Sequence, residues 1–350
     1  MLRSKVVVDA PFASIVKEDV RRELPSHLLV PILYNVGPFT IVAQKLIQYF
    51  ISGVLRPRHG VVGDLNQAEV DQVYTREAGR YNWKHHMTTR GQDTIWRRTV
   101  GEVILNLFNR GGKHPLKVLD LCTGTGLTVA EIDRVLLSWF GHRTRLSRNI
   151  EITGLDFNGN MLAQANKRHG SFQMLSKVFF VQGDATKLAY KANSFDFVSQ
   201  MFGIGGIKTP VPVFEEALRV LEDGGQFLLI DMHRPIGTLP GESAFFGFFP
   251  SMQAFEAMTY ERTTIPLALN RLWGWRDTTI DFYQVPFVTY KDEDGSWWGF
   301  EVLFRHYEPE RWWFSLPVMP TMRILLSKTK ISEADALHRQ KVLAEVSACA

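Results

Sequence analysis

VLDLCTGTG, residues Val118 to Gly126, is an apolar run that breaks into an aspartate, a small polar pair and two glycines. Such a run reads as a buried parallel strand opening onto a nucleotide-sized ligand. Gly124 and Gly126 lack a Cβ, so the backbone can turn sharply and approach a ligand before a helix begins at Leu127. The dinucleotide fingerprint would place a third glycine at position 129 and an acidic ribose ligand about 20 residues further on. Val129 stands there instead. The next apolar strand, Ile150 to Leu155, ends at Asp156, whose carboxylate can accept hydrogen bonds from both ribose hydroxyls of an adenosine. A third strand, Val178 to Gln182, runs into Gly183, Asp184 and Ala185, where a carboxylate and a backbone amide can read an adenine edge.

This ordered set resembles the class I S-adenosylmethionine-dependent methyltransferases. The glycine loop is DLCTGTG, the acid after it is Asp156, and the adenine turn is QGDAT. The fourth strand is SFDFVSQMFG, and EEALRVLEDGGQFLLIDM is the helix-to-strand segment that follows. The resemblance implies a Rossmann-like, doubly wound α/β sheet of seven strands, with S-adenosylmethionine at the carboxyl ends of the strands and S-adenosylhomocysteine as product.

Two further segments are similar to the ubiquinone/menaquinone biosynthesis methyltransferase family. In YNWKHHMTTRGQDTIWRR, Tyr81, Gly91 and Trp96 keep the spacing of that family's first signature, and Phe195, Asp196, Phe202 and Gly203 keep its FD and FG. The likeness covers about Ala78 to Pro235. Within it, the family's aspartate after the tyrosine is Asn82, and its arginine and asparagine after FGL are Gly205 and Gly206. That arginine is associated with quinol activation.

The resemblance implies roles by position. Asp120 and the amides around Thr123 to Gly126, Gly124 included, are expected around the methionine portion, with Asp120 oriented toward its amino group directly or through water, and Tyr81 and Cys122 are also expected among the cofactor-binding residues. Asp156 is expected to hold the ribose and Phe157 to pack near the adenine, with Met161 also among the cofactor-binding residues. Asp184 and Ala185 are expected to read the adenine edge, and Gln200, Met201 and Phe202 to meet the cofactor where the fourth strand ends. A sulfonium methyl is electrophilic with a neutral leaving group, so alignment and exclusion of water can supply much of the catalysis and no metal is needed. His233, after the fifth strand, and the adjacent His85 and His86 are the candidate bases.

With 350 residues the chain has room for one large domain with additions or for two. Three segments are expected: an N-terminal helical extension over 1–75, the cofactor-binding core over 76–235, and an aromatic-rich lid with the final core strand and a C-terminal helix over 236–350. Net charge is only +4, and Lys and Arg are scattered, so no nucleic-acid partner is expected. Two cysteines, Cys122 and Cys349, make a disulfide framework or a cysteine-rich zinc site an unlooked-for reading and fit a reducing, cytoplasmic setting. Leu28 to Leu55 is apolar but interrupted by Gly37 and Pro38, which favours a packed helix over one lying at a membrane surface. Peripheral membrane contact and a homodimer stay open.

Phe282 to Tyr290 and Trp297 to Tyr307 read as a hairpin joined by KDEDGS, Met322 to Thr329 as the last core strand, and the stretch after Ser332 as a helix with a serine cap. The tryptophans at 273, 275, 297, 298, 312 and 313 are core packing or an apolar lid. The expected activity is C- or O-methylation of a lipophilic, quinone-like or polyketide-like aromatic. The alternatives are a phospholipid or amine N-methyltransferase and a non-catalytic, cofactor-binding partner subunit.

Overall fold

Val118, Leu119 and Leu121 have no exposed surface, so consecutive side chains on both faces of this strand are covered. That is the burial of a strand in a sheet sandwiched between helices. The computed structural model describes residues 66–82, 85–86, 92–110, 115–140, 150–170, 176–232, 281–308, 311–313, 316–318 and 321–348. The expectations placed on 1–65, Gly91, His233, the segment 236–280 with Trp273 and Trp275, and Cys349 lie outside those residues.

In chain order the elements are α1 (Gln67–Glu77), α2 (Gln92–Asn109), β1 (Leu116–Leu121), α3 (Leu127–Phe140), β2 (Ile150–Asp156), α4 (Gly159–Gly170), β3 (Lys177–Gln182), β4 (Phe195–Met201), α5 (Val211–Val220) and β5 (Leu221–Met232). There follow α6 (Asp281–Gln284), β6 (Thr289–Lys291), β7 (Trp297–Glu308), β8 (Arg311–Trp313), β9 (Leu316–Val318), β10 (Thr321–Ile331) and α7 (Glu333–Ala348).

The main sheet has the order β3-β2-β1-β4-β5-β10-β7-β6, with β8 and β9 forming a separate pair. β1 pairs in parallel with β2 and β4, β2 with β3, and β4 with β5. β10 runs antiparallel to β5 and β7, and β6 antiparallel to β7. Strand order reverses between β1 and β4, and at such a reversal the two chain ends diverge to opposite faces and leave a crevice. The crevice here opens at Cys122 and Phe202.

Alternation along the strands feeds two cores. Val118, Ile152, Phe197, Leu228 and Ile230 pack with Trp96 and Val100 of α2 and Ile132 of α3. Leu119, Val198 and Leu229 point the other way, onto Phe214 and Leu218 of α5 and onward to Phe282 and Phe300. α2 comes close to α3 because residue 101 is glycine: a Cβ there would lie 2.9 Å from Val135 Cβ and 3.2 Å from Ile132 Cα. α1 starts on a capping box, in which Asn66 Oδ1 accepts from Glu69 N (3.0 Å) and Glu69 Oε2 accepts from Asn66 N (2.9 Å). Lys328 is a buried lysine on β10. Its ammonium donates to Asn193 Oδ1 (2.8 Å) and Leu221 O (2.7 Å) and faces the rings of Tyr290 and Trp298.

Three expectations change in detail. The sheet has eight strands among the described residues, because the three-residue β6 is added at its edge. Phe282 to Tyr290 is not one strand: Asp281–Gln284 is helical, Val285–Phe287 is a 3-10 turn, and pairing begins only at Thr289. Pro286 supplies the reason, since it has no N–H to donate to a ladder. α1 runs across the expected boundary at residue 75. The final helix begins as expected, with Ser332 Oγ accepting from Asp335 N at 3.1 Å.

Phe227 bridges the second core, with ring centroids 6.4 Å from Phe214 and 5.8 Å from Phe300. Phe227→Ala should therefore lower the unfolding free energy by about 3–5 kcal/mol in a urea titration. A loss under about 1 kcal/mol would mean that this side chain does not join the α5 layer to β7.

Candidate functional site

The loop after β1 turns through three left-handed residues, Cys122 (φ 53°), Gly124 (φ 56°) and Gly126 (φ 73°). It is held from below and from the side. Asp120 is buried, accepting from Thr123 Oγ1 (2.7 Å) with one carboxylate oxygen and from Ser199 Oγ (2.7 Å) with the other. Burial pushes its pKa up to about 6, against the pull of those two hydroxyls. Thr123 N donates to Leu155 O (3.0 Å), and Thr125 Oγ1 donates to Asn82 Oδ1. Gly126 has to be small: a Cβ there would come within 3.1 Å of Ala165 and Phe180.

Asp156 ends β2 and joins four segments. One oxygen accepts from Gly124 N (2.7 Å) and the other from Asn158 N (2.9 Å). Burial raises its pKa while those amides oppose the rise. Asn158 Oδ1 accepts from Met161 N (2.9 Å) at the start of α4, and Asn158 Nδ2 donates to Asp71 Oδ1 (2.7 Å), Asp71 O (3.0 Å) and Thr75 Oγ1 (2.8 Å) on α1. One side chain thus caps α4 and fastens α1 across the crevice. At the end of β3, Asp184 Oδ1 accepts from Thr186 N (2.8 Å) and Thr186 Oγ1 (2.7 Å), and Gly183 N donates to Asp156 O (3.0 Å).

On the far side, Phe202 follows β4 with φ 55°, unusual for a side chain with a Cβ. With the Gln200 amide assigned so that its oxygen faces the turn, as the two donors there require, it accepts from Gly203 N (2.9 Å) and Ile204 N (2.8 Å). Only glycine fits at 203, because a Cβ there would stand 2.5 Å from Cys122 Cβ. The two strand-end turns therefore touch.

These pieces line a cleft that is partly open to solvent. Nine of the residues expected at the ligand border it: Tyr81, Cys122, Gly124, Asp156, Phe157, Met161, Asp184, Ala185 and Phe202. Asp120, Thr123, Gly126, Gln200 and Met201 stand one layer back. The first two and Gln200 hold the turns, Gly126 packs on α4 and β3, and Met201 Sδ accepts from Thr128 Oγ1 at 3.8 Å.

Sequence reasoning missed the α1 face of Gln67, Val70, Asp71 and Tyr74, which borders the cleft, and also Asn158 and Thr186. The spacing of that face, i, i+3, i+4 and i+7, was a signal for one helix side but not for where it docks. Trp297 and Trp298 lie in the β6–β7 hairpin, away from the cleft, with Trp298 Nε1 donating to Asp292 Oδ2 (2.8 Å).

Neither His85 nor His86 borders the cleft. His85 is buried behind Tyr81 and Phe202, with ring centroids 5.6 Å and 5.0 Å away, and its Nδ1 lies 3.4 Å from Asp93 Oδ2. Burial lowers its pKa. His86 faces solvent.

The charge of the lining discriminates between ligands. Asp71, Asp156 and Asp184 border the cleft, and no Lys, Arg or His does so among the described residues. A diphosphate would bring negative charge to an acidic wall with no cation to pair it. The same wall would favour a ligand carrying positive charge, and the backbone is open at Gly124, where a Cβ would meet no heavy atom closer than 4.0 Å.

Residues 62–261 match the model of the ubiE/COQ5 methyltransferase family. A demethylmenaquinone methyltransferase of Thermotoga maritima is 32% identical over 174 residues, covering 50% of this chain and 66% of that protein. One from Staphylococcus aureus is 28% identical over 175 residues, covering 50% of this chain and 64% of that protein. The chain thus spans just under two thirds of the length of these relatives. Among solved structures, an S-adenosylmethionine-dependent methyltransferase from Aquifex aeolicus aligns at 16% identity with a TM-score of 0.39, over 65% of this chain and 88% of that one. Phosphoethanolamine N-methyltransferase 1 of Haemonchus contortus aligns at 15% identity with a TM-score of 0.44, over 77% of this chain and 51% of that one.

Asp120 gives a pH signature. Its carboxyl titrates near 6 in the folded protein and near 3.8 when exposed, so between those values the folded state holds more protons and stability falls as pH rises. Wild-type unfolding free energy, measured against Asp120→Asn, should drop by about 2–3 kcal/mol from pH 4 to pH 7. A flat difference would show that this carboxyl is not held protonated by burial. A second check is on α1: Asn158→Ala should speed amide exchange over residues 67–77 by at least about tenfold while leaving the β1 and β4 amides protected.

Proposed function

Since the chain belongs to the ubiE/COQ5 methyltransferase family, we propose that it methylates a lipophilic, quinol-like aromatic with S-adenosylmethionine as donor. The observation that carries this reading is the cleft itself, acidic and without a bordering cation among the described residues, at the point where the strand order reverses.

Asp156 would hold the ribose hydroxyls with the lone pairs that Gly124 N and Asn158 N leave free. Phe157 and Met161 would bracket the adenine, and Asp184 and the Ala185 amide would meet its edge. The turn from Cys122 to Gly124 would lie along the methionine portion, leaving Tyr81 and Phe202 near the reacting end. When bound, S-adenosylmethionine supplies an electrophilic methyl on a sulfonium, whose leaving group is neutral. The protein's own share is alignment and dryness, which α1, fastened by Asn158, provides from above. His85 and His86 do not border the cleft, so proton removal from an acceptor is not assigned to them.

The relatives' name makes reduced demethylmenaquinone the first acceptor to assay. The full chain should be incubated with methyl-labelled S-adenosylmethionine, that quinol and a lipid extract, and the products examined by mass spectrometry. Label on the quinol ring supports the proposal. Label on a phospholipid or amine headgroup would replace it with N-methylation, and cofactor binding with no labelled product would replace it with a non-catalytic partner.

The ribose role has its own test. Asp156→Ala should weaken S-adenosylhomocysteine binding in calorimetry by at least about tenfold, since hydrogen bonds to a charged group are worth about 1.5–3 kcal/mol. Unchanged affinity would remove Asp156 from the site.

A further inference from the structure

The cleft has an aromatic wall as well as its acids. Tyr74 on α1 and Tyr81 after it stand with ring centroids 6.3 Å apart and planes tilted by 58°. Both border the cleft beside Cys122, Phe202, Gly203 and Gly206. Tyr74 occupies that place because residue 206 has no side chain: a Cβ there would lie 3.0 Å from Tyr74 Oη and 3.6 Å from the ring. Neither phenol hydroxyl hydrogen-bonds to protein among the described residues. Burial raises the pKa of both phenols, the carboxylates of Asp156 and Asp231 add to the rise, and the Arg97 guanidinium opposes it at Tyr81. Phe202 is a poorer candidate for this wall's function, since its ring already lies 5.9 Å from the Arg97 guanidinium.

The connectivity of the cofactor then decides what meets the wall. With adenosine against Asp156, Phe157 and Asp184, the sulfur follows the ribose on the side of Cys122 and the tyrosines. Neutral aromatic faces attract a cation and have no such preference for a neutral thioether.

Building on the proposed cofactor, we propose that Tyr74 and Tyr81 read the charge on its sulfur, holding the sulfonium of the methyl donor and releasing that hold once the sulfur is neutral. On transfer the C–S bonding pair stays with sulfur, the methyl goes to the acceptor, and the cation that the wall favours disappears. The tyrosines are positioning and selectivity residues in this scheme, and Gly206 is the residue that admits Tyr74.

The test compares two ligands by calorimetry on the full chain, S-adenosylmethionine and S-adenosylhomocysteine, with no turnover involved. Tyr74→Leu and Tyr81→Leu should each lower the ratio of sulfonium to thioether affinity by about three- to tenfold. Tyr74→Phe, which keeps the ring, should hold the ratio within about twofold. Gly206→Ala, which crowds Tyr74 without removing it, should lower the ratio as well and serves if a leucine variant does not fold. Equal weakening of both ligands in the variants would overturn the inference and leave the tyrosines as packing for α1. Wild-type protein that binds neither ligand would overturn the cofactor reading itself, an outcome distinct from an unchanged ratio.

Discussion

The carboxylate of Asp156 is the tie on which the site depends. Its oxygens accept from Gly124 N and Asn158 N, so a single side chain sets the loop after β1, the end of β2 and the entry to α4. Asn158 extends the tie to α1. Charge-assisted hydrogen bonds to backbone amides are short and directional, and here they oppose the rise in pKa that burial imposes on this carboxyl. Asp156 thereby shapes the pocket and presents its remaining lone pairs to it.

A second constraint is the density of acids around a low-dielectric crevice. Asp120 lies beneath the glycine loop, Asp156 borders the cleft, and Asp231 closes β5, its Oδ2 accepting from Ile204 N at 3.2 Å. Burial works against ionisation at Asp120 and Asp156, and at Tyr74, Tyr81 and Cys122 the neighbouring carboxylates add to it. A cationic ligand relieves this repulsion, whereas an anionic one aggravates it.

Much of the α/β core was legible along the chain. VLDLCTGTG, Asp156 and the Asp184 turn each sit where a strand ends, because apolar runs that stop at acids and glycines carry their own local signal. The 282–290 stretch misled, since apolar alternation cannot distinguish a short helical turn before Pro286 from a strand. Asp120 looked like a ligand-facing acid on position alone. Its retreat behind the loop depends on Thr123 and on Ser199, which lies 79 residues away and offers a hydroxyl only after β1 and β4 have paired.

The sequence by itself determined where strands end in acids and glycines, and through that chemistry an adenosine-sized site without a dinucleotide's third glycine. Tertiary structure alone decided which of those residues border the cleft. Asp71 and Asn158 are 87 positions apart, yet their contact brings α1 and Tyr74 over the cleft. Gly203 is small because Cys122, across the strand reversal, leaves it no room. Periodicity and turn chemistry act over a few residues, whereas the shape and charge of the cleft arise from packing between segments that meet only when the sheet is complete.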